Sequence, residues 1–198
     1  MNLGPYLSAS AVIDCDHPGI QTLARELAGA SAEASAESRA KRCFDWVRDE
    51  IEHSVDFGRD EMTCRASDVL AVGTGLCIAK SHLLVALLRA NGVAAGFCYQ
   101  RLASTNPAAP FATHGFVAVW LDGIGWYRCD ARGNSKPGIH CEFTPGAENL
   151  AFQALREGEC LYPEVWAEPW PELVAAMGRL GRMADYYLAP LDLAPPAR

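Results

Sequence analysis

In the first third of the chain, hydrophobic residues recur every three or four positions, which is the spacing of amphipathic helices. The first helix has Asp16 as its expected N-cap and ends at Gly29. The second lies within "SAEASAESRAKRCFDWVRDEI", where the hydrophobic face is formed by Phe44, Val47 and Ile51. The pattern therefore predicts N-terminal helices within residues 17–52, followed by a loop or short strand in "HSVDFGRDEMTCR".

The middle of the chain contains its most hydrophobic helical segment, "GTGLCIAKSHLLVALLRANG", at residues 73–92. Leucine and alanine cover most sides of this segment, so it is predicted to be a buried central helix. Thr74 or Gly75 is expected to cap its start, and Asn91 with Gly92 is expected to end it. A shorter helix, "ASDVLAVG", precedes it and ends at a glycine.

After residue 92 the spacing becomes that of strands. "VAAGFCYQRL", "HGFVAVWL" and "WYRCDARG" each predict a strand, and "DGIG" predicts the turn between the last two. A further strand is expected in "NLAFQALREGECLYPEV", and a C-terminal helix at about residues 169–188. This order predicts an α+β fold in which N-terminal helices and the central helix pack on an antiparallel β-sheet.

Length and charge narrow the class of protein. A chain of 198 residues is long enough for one domain, here 1–198 with a core at about 60–145. The net charge is −7 without a basic run, which argues against binding to nucleic acid. Neither a membrane span of ~20 apolar residues nor a signal peptide is recognisable. We therefore expect a cytoplasmic protein that binds neither nucleic acid nor membrane.

The eight cysteines are expected to be reduced thiols, because the chain is long and shows no export signal. They include no CxxC pair and no cysteine–histidine group with zinc-finger spacing. His140 and Cys141 form an isolated pair that is too small for a metal site on its own. The sequence therefore predicts neither a metal nor an organic cofactor.

Among these cysteines, Cys77 lies in the first turn of the central helix. The unpaired N–H groups and the partial positive charge at a helix N-terminus favour a thiolate, which is the reactive form of cysteine. The same N–H groups can hold an oxyanion during acyl transfer. Glycines at 73 and 75 leave room for a substrate to approach. Cys77 is therefore a candidate nucleophile.

A cysteine nucleophile needs a base, and histidine is the usual one. Of the five histidines, His82 lies five residues after Cys77 and is predicted to point away from it. His17 is expected beside a helix cap, while His53 and His140 are expected in solvated loops. His114 opens the apolar strand after the loop "STNPAAPFAT" and is the best candidate.

An acid that orients the histidine is expected on the returning strand, at Asp130. The two side chains share a face of the hairpin only for certain loop lengths. A three-residue loop at 122–124 would pair Leu121 with Gly125 and make Asp130 the diagonal neighbour of His114. Loops of two or four residues would put them on opposite faces. A Cys–His–Asp triad thus requires the three-residue loop or a bulge.

Three blocks of the sequence carry a resemblance to a known family. They are "ASDVLAVGTGLCIAKSHLLVALLRANGVAAGF", "HGFVAVWL" and "GWYRCDARGN". In this order they resemble the transglutaminase-like superfamily, whose catalytic core is related to papain-type cysteine peptidases. The resemblance implies a papain/transglutaminase-like core in which Cys77 is the nucleophile, His114 the general acid and base, and Asp130 the acid that orients the histidine.

The resemblance and the residues together predict a thiol-dependent acyl-transfer enzyme that acts on a protein, peptide or small amide through a thioester. Hydrolysis is slightly favoured over transfer to an amine, because the chain is small. Two alternatives stay open, a catalytically inactive binding module of the same fold and a zinc protein using Cys77, His114 and Asp130. Tyr99 and Gln100 are candidates for the cleft wall, and the side-chain donor for the oxyanion has no assignment.

Overall fold

The computed structural model describes residues 2–29, 35–107 and 109–196. In chain order, after a 3-10 turn at Gly4–Tyr6, its elements are α1 (Pro18–Ala28), α2 (Ala36–Glu50), β1 (Glu52–His53), α3 (Ala66–Val72), β2 (Thr74–Gly75), α4 (Cys77–Ala90), β3 (Ala95–Ala103), β4 (Phe111–Leu121), β5 (Gly125–Cys129), β6 (Cys160–Leu161), α5 (Pro171–Arg179) and α6 (Met183–Leu188). The predicted mixture of helices and antiparallel strands is confirmed. The first residues of the predicted second helix, 31–34, lie outside the described residues.

The main sheet has four antiparallel strands in the order β5-β4-β3-β6. Strands β3, β4 and β5 form the meander predicted from the sequence, and Leu121 pairs with Gly125. The loop at 122–124 therefore has the three residues that the triad requires. A second, small sheet pairs β1 with β2 in parallel, so that His53 lies opposite Gly75.

Helix α4 is the centre of the hydrophobic core, as its composition predicts. Twelve of its fourteen residues are buried, and it packs against α1, α2, α3 and the face of β3 and β4. Its first turn lies directly on β4 at Gly115, where a Cβ atom would come within 3.2 Å of the Ile78 Cα. Glycine at this position thus permits the close approach that brings Cys77 beside the strand carrying His114.

Two charged side chains of α4 are buried and bind the backbone of neighbouring segments. The Lys80 ammonium donates to the carbonyls of Ile51 and Arg48, at the end of α2. The Arg89 guanidinium donates to the carbonyls of Ser8 and Ala95. Burial lowers the pKa of Lys80 to about 8, so the ammonium persists at neutral pH. These contacts fix the position of α4 relative to β1 and β3.

We expect Lys80→Ala to lower the free energy of unfolding by about 2–4 kcal/mol, because a packed stem is lost and two buried carbonyls lose their donor. Urea unfolding followed by circular dichroism measures this. Lys41→Ala is the matched control, since Lys41 is exposed and pairs with Asp45 on the surface; it should change stability by less than ~0.5 kcal/mol. Equal stabilities of the two variants would contradict the role given to Lys80.

Three boundaries differ from the sequence predictions. The N-cap of α1 is His17 rather than Asp16, and its ring nitrogen accepts the N–H of Gly19. The N-cap of α4 is Leu76, because Thr74 and Gly75 are paired with β1 instead. The predicted C-terminal helix is two helices, α5 and α6. It breaks because the Asp185 carboxylate accepts the N–H groups of Gly181 and Arg182, which starts a new helix there.

All eight cysteines lie within the described residues and have free thiols. None of the helices in the described ranges combines the length and the hydropathy that a membrane span needs. The core extends from Ile13 near the N-terminus to Leu191 near the C-terminus, and it includes Trp170 at the start of α5. The C-terminal segment therefore packs on the same core as the central helix.

Candidate active site

Cys77 is the first residue of α4, and the residue as a whole keeps partial exposure to solvent. Its thiol lies within hydrogen-bonding reach of two histidines, His114 and His53. The N-cap residue Leu76 has no side chain to bind the first N–H groups of the helix, so these groups stay available to an anion. Cys77 thus combines access to solvent with an electropositive environment.

The pKa of the Cys77 thiol is lowered from its ordinary value. Burial of the sulfur alone would raise it, but the charge of His114 and hydrogen bonds from His114 and His53 outweigh burial and bring the pKa to about 5. Six other cysteines show the opposite shift, with burial as the largest cause in each. The pKa rises to about 11 in Cys64 and to about 12 in Cys43, Cys98 and Cys141.

His114 lies on β4, where the structure places it between Cys77 and Asp130. Its Nε2 is 2.7 Å from the Asp130 Oδ2, which leaves Nδ1 for the thiol. Burial opposes a charge on this ring, but the negative charges of Asp130 and Cys77 raise its pKa well above the ordinary value. The two shifts together favour a thiolate–imidazolium pair.

Asp130 follows β5 and is fully enclosed. Its carboxylate accepts the N–H groups of Arg132 and Ala151, at 3.0 and 3.1 Å, besides the contact with His114. Burial would raise its pKa, but the His114 cation and these hydrogen bonds hold the pKa below the ordinary value. The structure thus brings Cys77, His114 and Asp130 together in the arrangement expected from the sequence.

His53 occupies a place that the sequence interpretation missed. It was expected in a solvated loop, but it lies buried on β1, beside the Cys77 thiol. Burial is the main cause that lowers its pKa, so the ring is neutral at neutral pH. The position depends on the parallel pairing of β1 with β2, the strand just before Cys77. No local pattern in the sequence indicates a pairing between segments this far apart.

A network of charged side chains lies next to His53, on the side of its Nδ1 atom. His53 Nδ1 lies 3.8 Å from the Asp56 Oδ1, and Asp56 forms a bidentate pair with Arg132 at 2.7 Å. The Ser135 hydroxyl also binds Asp56. Because the backbone N–H of Arg132 binds Asp130, this network connects the histidine on β1 to the acid beside β5.

The three side chains Cys77, His53 and His114 line a cleft of about 600 Å³. Residues 151–159 form one wall, where the Phe152 ring packs edge-on to His114 at 5.2 Å. Tyr99 and Gln100, proposed from the sequence as wall residues, are buried and do not border the cleft. Their side chains lie on opposite faces of β3, where Tyr99 packs against the ring of Trp170 and Gln100 donates to the carbonyl of Phe152.

The remaining histidines take no part in this cleft. His82 is buried and its Nδ1 lies 2.7 Å from the carbonyl of Cys64, so it points away from Cys77 as predicted. His17 caps α1, and His140 is exposed. Across residues 2–29, 35–107 and 109–196, no group of three or more histidine, cysteine or acidic side chains is arranged to hold a metal ion.

A cysteine at the start of a buried helix, packed on an antiparallel sheet that carries a histidine–aspartate pair, defines the papain-like class of folds. Residues 21–131 match the family described as the transglutaminase-like superfamily. The match covers more than half of the chain, and the protein belongs to this superfamily. A search of curated proteins found no match.

A solved structure has the same fold. A candidate cysteine protease from Cytophaga hutchinsonii is 23% identical, with a TM-score of 0.51 over 65% of this chain and 41% of its own. The periplasmic domain of TgpA from Pseudomonas aeruginosa, bound to ethylmercury, is 19% identical, with a TM-score of 0.46 over 64% of this chain and 46% of its own. This chain thus spans less than half the length of either protein.

Proposed function

We propose that the protein is a cysteine-dependent acyl-transfer enzyme that hydrolyses a peptide or amide bond. The observation that carries the proposal is the Cys77 thiol in a cleft that it shares with His53 and His114, with His114 hydrogen-bonded to Asp130. Membership of the transglutaminase-like superfamily supports thiol chemistry. The free thiols throughout the chain fit a reducing compartment, and we place the reaction in the cytoplasm.

In the acylation half-reaction, the Cys77 thiolate attacks the carbonyl carbon, a C–S bond forms and the carbonyl electron pair moves to oxygen. His114 Nδ1 then donates its proton to the leaving nitrogen. The C–N bond breaks, the amine leaves and a thioester remains on Cys77. Asp130 holds the His114 ring through Nε2, so that Nδ1 stays directed at the sulfur.

The developing oxyanion needs at least two donors close to Cys77. The backbone N–H of Cys77 is one, because the helix start leaves it without an intrahelical partner. The neutral His53 ring is the second, since it contacts the sulfur. Its Nδ1 makes no hydrogen bond, at 3.8 Å from Asp56, so we assign the single N–H of the ring to Nε2, where it can donate to the oxyanion. His53 thereby fills the role for which the sequence offered no residue.

In the deacylation half-reaction, His114 is neutral and takes a proton from the acceptor. With water as the acceptor, hydroxide attacks the thioester, the C–S bond breaks and the thiolate–imidazolium pair returns. A primary amine in place of water gives transamidation by the same steps. Water as the preferred acceptor is part of this proposal, and it makes the enzyme a peptidase or amidase rather than a transglutaminase.

A generic acyl donor tests the proposal without knowledge of the natural substrate. With 4-nitrophenyl acetate, we expect intact-mass spectrometry to show one acetyl group, and peptide mapping to place it on Cys77 and not in Cys77→Ser. Added primary amine divides the product between acetate and acetamide, and mostly acetate is expected. Acetylation spread over several cysteines, or none at all, would contradict the proposal.

His53→Ala should lower kcat/KM for the ester about 10²-fold, the usual cost of one lost oxyanion donor. Alkylation by iodoacetamide forms no oxyanion, so its plateau rate at high pH should change little. His53→Gln keeps a donor and should recover part of the acyl transfer. The two rates are compared in one stopped-flow series. An equal fall of both rates would show that His53 acts on the thiol alone and would refute the oxyanion role.

A further inference from the structure

The cleft around Cys77 contains positive charge that the chemistry above does not use. Lys136 and Arg156, which lie in two different segments of the chain, both line the cleft and are both exposed. Within the described ranges neither side chain forms an ion pair with a carboxylate, whereas Arg132, the third cation of the lining, is paired with Asp56. Arg156 also interacts electrostatically with Glu159, the acidic side chain of the lining. Lys136 and Arg156 together outweigh this one carboxylate, so the cleft is locally positive in a chain of net charge −7.

The acidic side chain of the lining, Glu159, faces its own loop. One carboxylate oxygen accepts the N–H of Ala103, and the other accepts the N–H groups of Leu155 and Arg156. Its negative charge offsets part of the positive charge of the cleft, but both of its carboxylate oxygens accept hydrogen bonds from backbone N–H groups. Glu159 therefore fixes the shape of the loop that presents Leu155 and Arg156.

Two exposed apolar side chains line the same cleft. Leu155 precedes Arg156 and is 81% exposed, and Val55 on the His53 side of the cleft is 40% exposed. A leucine this exposed on a loop held by three hydrogen bonds offers apolar area that a ligand can bury. The cleft thus combines exposed apolar side chains with two exposed cations.

We propose that the cleft selects acyl donors that carry a carboxylate beside an apolar side chain, as in an acidic peptide, with Lys136 and Arg156 attracting the carboxylate. This assignment of the substrate class rests on the proposed function. The carboxylate has two possible positions, on the acyl side or on the leaving-group side of the scissile bond. The two cations attract a carboxylate in either position, and the second experiment distinguishes the two positions.

The first experiment compares two alkylating reagents of nearly equal size, anionic iodoacetate and neutral iodoacetamide. The rate ratio at Cys77, divided by the same ratio for glutathione, reports the charge that the thiol's surroundings present. We expect Lys136→Gln/Arg156→Gln to lower this ratio about fivefold at low salt. High salt should lower the wild-type ratio towards that of the variant, because exposed charges are screened.

The matched control removes the same charge elsewhere. Arg25 and Arg179 are exposed and do not border the cleft, so Arg25→Gln/Arg179→Gln should leave the ratio unchanged. A ratio that is equal in wild type and in the cleft variant would overturn the proposal. Slow labelling of Cys77 by both reagents would instead count against the proposed function, and the ratio would still be measurable.

The second experiment uses nitrophenyl esters to place the carboxylate. The hemisuccinate carries it on the acyl side, a carboxylated nitrophenyl acetate carries it on the leaving group, and the butyrate is the neutral reference. We expect kcat/KM to favour one charged ester over the butyrate by about threefold to tenfold, and the cleft variant to lose this preference. The favoured ester identifies the side, and a preference for the butyrate over both would overturn the proposal.

Discussion

Replacing Asp130 with asparagine is expected to lower kcat/KM for 4-nitrophenyl acetate by about 10²–10⁴-fold. The carboxylate fixes the His114 ring through Nε2 and stabilises its positive charge. An asparagine amide keeps the size of the side chain but removes the charge, so the imidazolium loses its main support. The thiolate of Cys77, which depends on that imidazolium, is lost in turn.

Asp130→Asn is also expected to change the pH dependence of acyl transfer. Without Asp130 the pKa of His114 falls and the pKa of Cys77 rises, so the acid limb of the pH–rate profile moves to higher pH. Asp122→Asn, in the exposed turn of the same hairpin, is the control and should keep the wild-type profile. If Asp130→Asn keeps both the rate and the limb, the acid does not orient His114.

Replacing His114 with alanine is expected to reduce both alkylation and acyl transfer. At about pH 6.5 the wild-type thiol is almost fully ionised, whereas a thiol of ordinary pKa is ionised to roughly 1%. Iodoacetamide should therefore label Cys77 about 100-fold more slowly in the variant. Acyl transfer should fall at least ~10³-fold, because the variant also lacks the proton donor for the leaving group.

His140→Ala controls for the loss of a histidine, since His140 is exposed and lies outside the cleft. It should keep both rates. Unfolding of His114→Ala is checked by circular dichroism, and His114→Gln offers a second variant that fills the same space. If both variants labelled at the wild-type rate, the ion pair between His114 and Cys77 would be excluded.

The parts of the fold that sequence reasoning predicted are those with local causes. The central helix is apolar on most sides, so its burial follows from composition. The hairpin between β4 and β5 follows from a turn within one short segment, and the condition that His114 and Asp130 share a face predicts a three-residue loop or a bulge there. Their positions make Cys77, His114 and Asp130 candidates, and the family resemblance implies their roles.

The parts that were missed depend on contacts between distant segments. His53 reaches the thiol only because β1 pairs with the strand before Cys77. The wall formed by residues 151–159 is placed by the bond from Ala151 to Asp130. The division of the C-terminal helix depends on one carboxylate, that of Asp185, which competes with the helix for N–H groups. Patterns of hydrophobicity contain no information about such pairings.

The central claim is that Cys77 is an ion-paired thiolate, and the pH dependence of alkylation at each cysteine tests it most directly. Wild-type protein is treated with iodoacetamide between about pH 4 and pH 10, and peptide mapping follows all eight thiols. We expect the rate at Cys77 to rise with a midpoint near pH 5 and then to stay level. A rate at Cys77 that rises only above about pH 8, as for an ordinary thiol, would contradict it.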